Sequence, residues 1–174
     1  MLRKTAIQRN KDLFRIIDGS HVKVHQDACY ALESSENQCF GKTKGGRNSK
    51  LHAMTNAEGK LLDLKLLPGN EHEILSAREL LGEVRDSIVL ADKGYDSDTL
   101  RKQILDDGGV ALIPPKKNRR KPVLYFSHIG KKRHVVENYF CRIKRYRRIA
   151  TRYDRSSETY LSFVYLASLM DWLR

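Results

Sequence analysis

Apolar and polar positions alternate in some stretches of this chain and recur every three or four residues in others. Leu13 to Ile17 is an apolar run ending at Asp18, and His21-Val22-Lys23-Val24-His25 alternates. Together they predict a strand, or a strand pair around Gly19. Glu33 to Asn48 is polar with Gly41, Gly45 and Gly46, which predicts a loop. Lys50–Asn56 and Lys60–Leu67 flank Ala57-Glu58-Gly59 and predict a hairpin, and Pro68-Gly69-Asn70 predicts a turn. Asn70 is placed to cap a helix from Glu71 to about Gly82, with Ile74, Ala77, Leu80 and Leu81 on one side. Ser87–Ala91 reads as a short buried strand. Asp96 or Ser97 would cap a helix through Leu100, Ile104 and Leu105 that stops at Gly108-Gly109. Val110–Ile113 is a further strand halted by Pro114-Pro115, and Lys116–Lys121 is a basic loop. A long helix is expected from about Ile129 to Arg148 and a last one over Ser157–Leu173. Strands first, then helices and strands in alternation, give an α/β fold with a partly antiparallel sheet, as one domain over residues 1–174.

Charge sharpens this picture. The 174 residues carry a net +12, yet Lys116 to Arg155 alone hold fifteen Lys or Arg against two acids, a local +13. The rest of the chain is close to neutral, so the basicity is local and expected to be a binding face. A merely solvated helix surface would mix signs to gain i,i+4 pairs. Nucleic acid is the favoured polyanionic partner over a membrane surface. No apolar run approaches the ~18 residues that span a bilayer, and no apolar signal region follows Met1-Leu2-Arg3-Lys4. The expected location is cytoplasmic and nucleoid-associated. Cys29, Cys39 and Cys141 form no disulfide framework. His21 and His25 beside Cys29 and Cys39 are weighed as a zinc site and disfavoured, because paired cysteine spacing is absent.

Three carboxylates stand out. Asp18 ends an apolar run, and Asp92 ends the strand before Lys93-Gly94-Tyr95-Asp96. Ligand sites of open α/β sheets collect beyond such strand ends, although an Asp there also serves simply to start a turn. Glu137 is nearly alone among basic residues. At about 100° per residue, Arg133 lies about 40° from Glu137 and Lys144 about 20° to its other side. That stripe is either functional or a solvated salt-bridge face. Phosphodiester cleavage is the chemistry that needs such a set. Two Mg²⁺ ions ~4 Å apart activate the attacking oxygen and stabilise the leaving one, and Mg²⁺ takes few carboxylates, with water and phosphate completing its shell.

Six strings then resemble the DDE transposases of bacterial insertion sequences, specifically the insertion sequence five family. They are Ile17-Asp18-Gly19-Ser20-His21-Val22-Lys23-Val24-His25-Gln26, Gly41 through His52, Pro68-Gly69-Asn70-Glu71-His72, Ala91 through Asp96, Ile113 through Arg119, and Arg133 through Asp154. They stand in the family's order over nearly the whole chain. The resemblance implies an RNase H-like mixed sheet flanked by helices, Mg²⁺-dependent cutting at element ends, and strand transfer to target DNA, with Mn²⁺ as a substitute metal. The family's acids fall on Asp18, Asp92 and Glu137. Its motif around the last acid runs Tyr, two residues, Arg, three residues, Glu, six residues, Lys. Arg133, Glu137 and Lys144 match, while Gly130 stands at the Tyr position.

The resemblance places Arg133 and Lys144 as supports for Glu137 and contacts to phosphate. Lys42, Lys44, Arg47 and Lys50 are weaker DNA candidates. Lys116, Lys117, Arg119, Arg120, Arg147, Arg148 and Arg152 are expected to add charge affinity with little base reading. Seventeen residues precede Asp18, where the family carries a helical DNA-binding region. The expectation is a truncated copy, or the second half of a split or frameshifted frame whose N-terminal half is a separate product. Expected partners are the element's terminal repeats, target DNA and a homo-oligomer. The alternatives are an inactive or truncated DNA-binding remnant, a nuclease without strand joining, and a structural RNA-binding protein that would gain no stability from Mg²⁺.

Overall fold

The computed structural model describes residues 13–29 and 38–174. In chain order its elements are β1 (Phe14–Val24), α1 (Gln26–Cys29), β2 (Gly41–Thr43), β3 (Gly46–Thr55), β4 (Leu61–Pro68), α2 (Glu73–Leu81), β5 (Ile88–Leu90), α3 (Asp98–Asp106), β6 (Val110–Leu112), α4 (Ser127–Gly130), α5 (His134–Ile143), α6 (Arg147–Ala150), β7 (Thr151–Arg152) and α7 (Ser157–Trp172). Short 3₁₀ turns cover Lys93–Tyr95 and Lys131–Arg133.

β1 organises the sheet. Successive side chains of a strand point to opposite faces, and its neighbours Ile16 and Ile17 are both fully buried, so the sheet must be covered on both sides. Ile16 joins Leu51, Ala53, Val136, Phe140, Ile143, Tyr160 and Val164, beneath α5 and α7. Ile17 joins Met54, Ala77, Leu80, Val89, Leu100 and Ile104, beneath α2 and α3. Along one edge β1 pairs antiparallel with β3, which pairs antiparallel with β4 and, beyond it, with β2. Along the other edge β5 runs parallel to the start of β1 and β7 parallel to its end, with β6 parallel outside β5. The result is a seven-stranded mixed sheet with helices on both faces. Among the described residues no helix is long and apolar enough to cross a membrane.

The expected hairpin around Ala57-Glu58-Gly59 is present, with Gly59 at a φ of +79° that suits a residue without a Cβ. The expected loop before it is in part a second hairpin, β2–β3. The Asn48 amide donates to the Thr43 hydroxyl and the Gly46 carbonyl and closes the turn; residues 33–37 of that loop lie outside the described residues. α2 begins at Glu73, with His72 rather than Asn70 at its cap position and no side-chain cap bond. α3 follows Ser97, whose side chain makes no cap bond. Asp96 turns instead to Arg101, Arg119 and the Lys116 amide.

The single helix expected from Ile129 to Arg148 is broken into α4, a 3₁₀ turn, α5 and α6. The break after α5 has a tertiary cause. Tyr146 is extended, with ψ 113°. The chain then turns to bury Ile149, whose carbonyl accepts from the Tyr160 hydroxyl at 2.8 Å, and to lay Thr151-Arg152 beside Lys23-Val24.

Arg152 is not on the surface, contrary to the DNA role expected of it. It is fully buried, over the rings of Phe40 and Tyr160 at 4.3 and 5.4 Å. Its guanidinium donates to the carbonyls of Gln38, Asp154 and Arg155 and to the Ser49 hydroxyl, at 2.8 to 2.9 Å. The bonds to Ser49 and Asp154 are buried, and removing the fork leaves those polar groups unpaired at about 1–3 kcal/mol each. Arg152→Ala is therefore expected to lower stability in urea denaturation by about 3 kcal/mol or more. Lys116→Ala, on an exposed loop, should change it by less than about 0.5 kcal/mol. Equal stabilities of the two variants would contradict the anchoring role.

Candidate active site

β1 brings two of the three acids together. It is parallel to β5, with Ile16 paired to Leu90. Asp18 and Asp92 each stand two residues beyond that pair, so both lie just past the same end of the β1–β5 ladder despite their distance in sequence. By alternation Asp18 shares the face of Ile16, which is the face covered by α5. Past Ile16 the β5 edge of β1 is released until β7 joins it at Lys23. The site occupies this notch.

The 3₁₀ turn and α5 supply the rest. Arg133 spans two acids, with one guanidinium nitrogen 2.8 Å from Asp18 Oδ2 and the other 2.6 Å from Glu137 Oε1. Lys144 donates from Nζ to the Ser20 hydroxyl at 2.7 Å and the His21 carbonyl at 2.6 Å, closing the far side of the notch. Burial lowers its pKa. Asp92 accepts from the Gly94 amide at 2.7 Å, which fixes its carboxylate over the turn that carries it. The space for a side chain at Gly130, the family's Tyr position, is taken by the Tyr125 phenol.

Burial raises the Asp18 pKa to about 6; the Gly19 amide and Arg133 pull it back, while Glu73 and Asp92 push it further up. Asp18 is therefore an acid held short of solvent among other acids, a setting that favours an added cation. Carboxylates are the hard oxygen donors that Mg²⁺ and Mn²⁺ take, and one cationic group already sits between two of them. In kind and neighbourhood the residues fit divalent ions. Among the described residues, however, no three His, Cys, Asp or Glu side chains close around one point, because Arg133 holds Asp18 and Glu137 while Asp92 caps its own turn.

Glu73 was not foreseen. It starts α2, its carboxylate covers Gly19 so closely that a methyl group there would collide with it, and it pairs with Lys50 at 3.3 Å. Its only sequence signal is its place directly after the Pro68–His72 string. Beneath it lies a buried polar chain. His52 accepts or donates at 2.8 Å with Ser76 and at 3.0 Å with the Tyr95 hydroxyl, which steadies the turn after Asp92. Burial lowers the His52 pKa to about 4, so this ring is neutral.

The expected DNA residues divide into two groups. Lys42, Lys44, Arg47, Lys116, Lys117, Arg120 and Arg147 are exposed. Lys50 is buried and bound to the Glu71 carbonyl at 2.7 Å. Arg119 is clamped on Asp96 and Asp98, and Arg148 pairs with Asp154 and stacks over Phe163 at 3.9 Å. Lys50 and Arg119, like Arg152, are structural, because each has a partner that the fold itself supplies. Two clefts share Lys50 and His72, and neither is lined by Asp18, Asp92 or Glu137. One of about 220 Å³ reaches Glu73, Gly94 and Tyr95; the other, of about 480 Å³, reaches His21 and Lys44.

Comparison with known proteins bears on this geometry. Residues 9–170 match the family model of the transposase DDE domain. A putative transposase for insertion sequence element IS6501 from Brucella ovis is 36% identical over 128 residues, 72% of this chain and 98% of that protein. A putative transposase for IS402 from Burkholderia cepacia is 26% identical over 147 residues, 73% of this chain and 67% of its own length. A solved piggyBac transposase synaptic complex with hairpin DNA overlaps 64% of this chain and 24% of its own, at 12% identity and a TM-score of 0.42. That likeness is too distant to inform the site. On the family match and the Brucella relative, the chain belongs to the DDE transposase-domain family.

Proposed function

We propose that this chain, a single domain over residues 1–174, cuts DNA at insertion-sequence ends and transfers the strand, as members of the insertion sequence five family do. Asp18, Asp92 and Glu137 would hold Mg²⁺, or Mn²⁺ in its place. The observation that carries the reading is that Asp18 and Asp92 each stand two residues past the last β1–β5 pair, with Glu137 linked to Asp18 through Arg133. When bound, two ions would supply activation of the attacking oxygen and stabilisation of the leaving one.

The chain's own residues do the rest. Asp18, on the central strand, anchors the acid cluster, and Asp92 is held rigid by the Gly94 amide. Lys144 is spent on Ser20 and His21 and keeps β1 and α5 at a fixed distance, a positioning role rather than a free phosphate contact. Exposed Lys42, Lys44 and Arg47 on the β2–β3 hairpin, and Lys116, Lys117 and Arg120 after β6, offer charge to a nucleic-acid backbone. Arg147 adds to them, and Arg148 does so in part. DNA partners, a homo-oligomer and a nucleoid location belong to this reading.

Two outcomes are expected. The first concerns chemistry on supercoiled plasmid carrying the element's ends. Wild-type protein should nick it in Mg²⁺ and not in chelator, and Glu137→Gln should lose that nicking while still binding DNA. Nicking by the variant at the wild-type rate would contradict the assignment.

The second concerns acid stability without metal. Asp18 ionises near pH 6 when folded against 3.8 ordinarily. The folded state therefore holds more protons between these values, and this contribution makes stability fall as pH rises. His52 titrates near 4 when folded against 6.5 ordinarily, so its contribution makes stability rise with pH across nearly the same window. The two oppose each other in the wild type. Asp18→Asn removes the first, so stability should rise by about 3 kcal/mol from pH 4 to 6.5, and at neutral pH the variant should exceed the wild type. A less stable variant at neutral pH in chelator would show that Asp18 carries no such electrostatic cost.

A further inference from the structure

The position of Arg133 has a consequence beyond steadying Glu137. Its guanidinium contacts Asp18 Oδ2 at 2.8 Å and Glu137 Oε1 at 2.6 Å at once. These are two of the three acids, and the contacted oxygens face the space between them. Arg133 sits on the 3₁₀ turn Lys131–Arg133 rather than inside α5, and its side chain keeps about a third of its surface exposed. It can therefore leave without unwinding the helix that carries Glu137.

We infer that Arg133 is a built-in stand-in for the divalent cation: it neutralises Asp18 and Glu137 while the site is idle and must be displaced for metal to bind. The inference rests on the reading of these acids as metal ligands. A planar guanidinium that forks onto carboxylates forks equally well onto phosphate. DNA therefore offers Arg133 its alternative partner, and its departure exposes Asp18 and Glu137 to metal. DNA binding and metal binding are then coupled through one side chain. Such coupling is reciprocal: DNA tightens metal by the factor by which metal tightens DNA. The device keeps the acids paired, and the cutting site unloaded, until a phosphate backbone is in place.

The test is Mn²⁺ titration of the purified protein, followed by electron paramagnetic resonance, without DNA and with a short duplex. Arg133→Gln should bind Mn²⁺ roughly fivefold or more tightly than wild type without DNA, the lower end of ordinary coupling. Loss of a nearby positive charge alone would also favour a cation. Lys132→Gln removes the same charge one position away, where the ammonium lies over the Phe14 ring at 4.6 Å, and it should shift affinity much less. Arg133→Lys keeps the charge and loses the fork, so it should fall between wild type and Arg133→Gln. Adding the duplex should tighten Mn²⁺ binding in the wild type more than in Arg133→Gln. Equal affinities of Arg133→Gln and Lys132→Gln without DNA, or weaker binding by Arg133→Gln in a protein with wild-type circular dichroism, would overturn the inference. Asp18→Asn separates this failure from that of the underlying reading: if it leaves Mn²⁺ affinity unchanged, the acids are not the ligands and both fall.

Discussion

Negative charge gathered midway along the central strand is the constraint on which the site depends. Asp18 is seated on β1 between two hydrophobic layers, with Glu73 and Asp92 near enough to make its ionisation harder. A folded chain tolerates such a cluster only with positive charge at hand. Here that charge is supplied by Arg133 directly and, around the rim, by Lys50 on Glu73. Parallel pairing of β1 and β5 sets the two aspartates side by side, and antiparallel pairing of β1 and β3 brings in His52 opposite Gly19. His52 in turn holds Tyr95 and α2.

The same economy of charge governs the rest of the molecule. A window of +13 looks uniform along the sequence, but the fold sorts it. Arg119 locks the loop after β6 onto Asp96, which is nearly unexposed; burial would raise the Asp96 pKa, and the Lys116 amide with Arg101 and Arg119 lowers it instead. Arg142 ties α5 to Asp171 of α7 at 2.7 Å, and Arg152 fills a buried slot lined by carbonyls and rings. Lys116, Lys117, Arg120 and Lys121 on the loop after β6, Lys131 and Lys132 before α5, and Arg145 and Arg147 after it are left facing solvent, as are Lys42, Lys44 and Arg47 on the β2–β3 hairpin. Neutralised interior cations help to hold the sheet together, and the exposed ones are free to attract a polyanion.

Much of this was legible in the sequence, for physical reasons. The apolar run through Ile16 and Ile17, the alternation from His21 to His25 and the turn at Glu58-Gly59 are local signals, so the strands and the main hairpin could be read directly. Asp18, Asp92 and Glu137 were readable because each stands out in its own stretch, and the resemblance tied them together. Their convergence is partial, since Arg133 sits between two of them. Glu73 escaped because what marks it is Gly19, over fifty residues away, on which its carboxylate lies. The broken helix after Ile143 escaped because nothing local stops it; the demand that Arg152 return to β1 does. Arg152 and Arg119 look like Lys116 until their partners are known.

The central claim is that Asp18, Asp92 and Glu137 form a divalent-cation site. Its most direct test is anomalous diffraction from crystals soaked in Mn²⁺ together with a short DNA duplex. The account predicts a manganese peak in coordination contact with the Asp18 carboxylate and at least one of Asp92 and Glu137, with Arg133 turned away. Full-occupancy manganese elsewhere, with Arg133 still bridging Asp18 and Glu137 beside bound DNA, would contradict it.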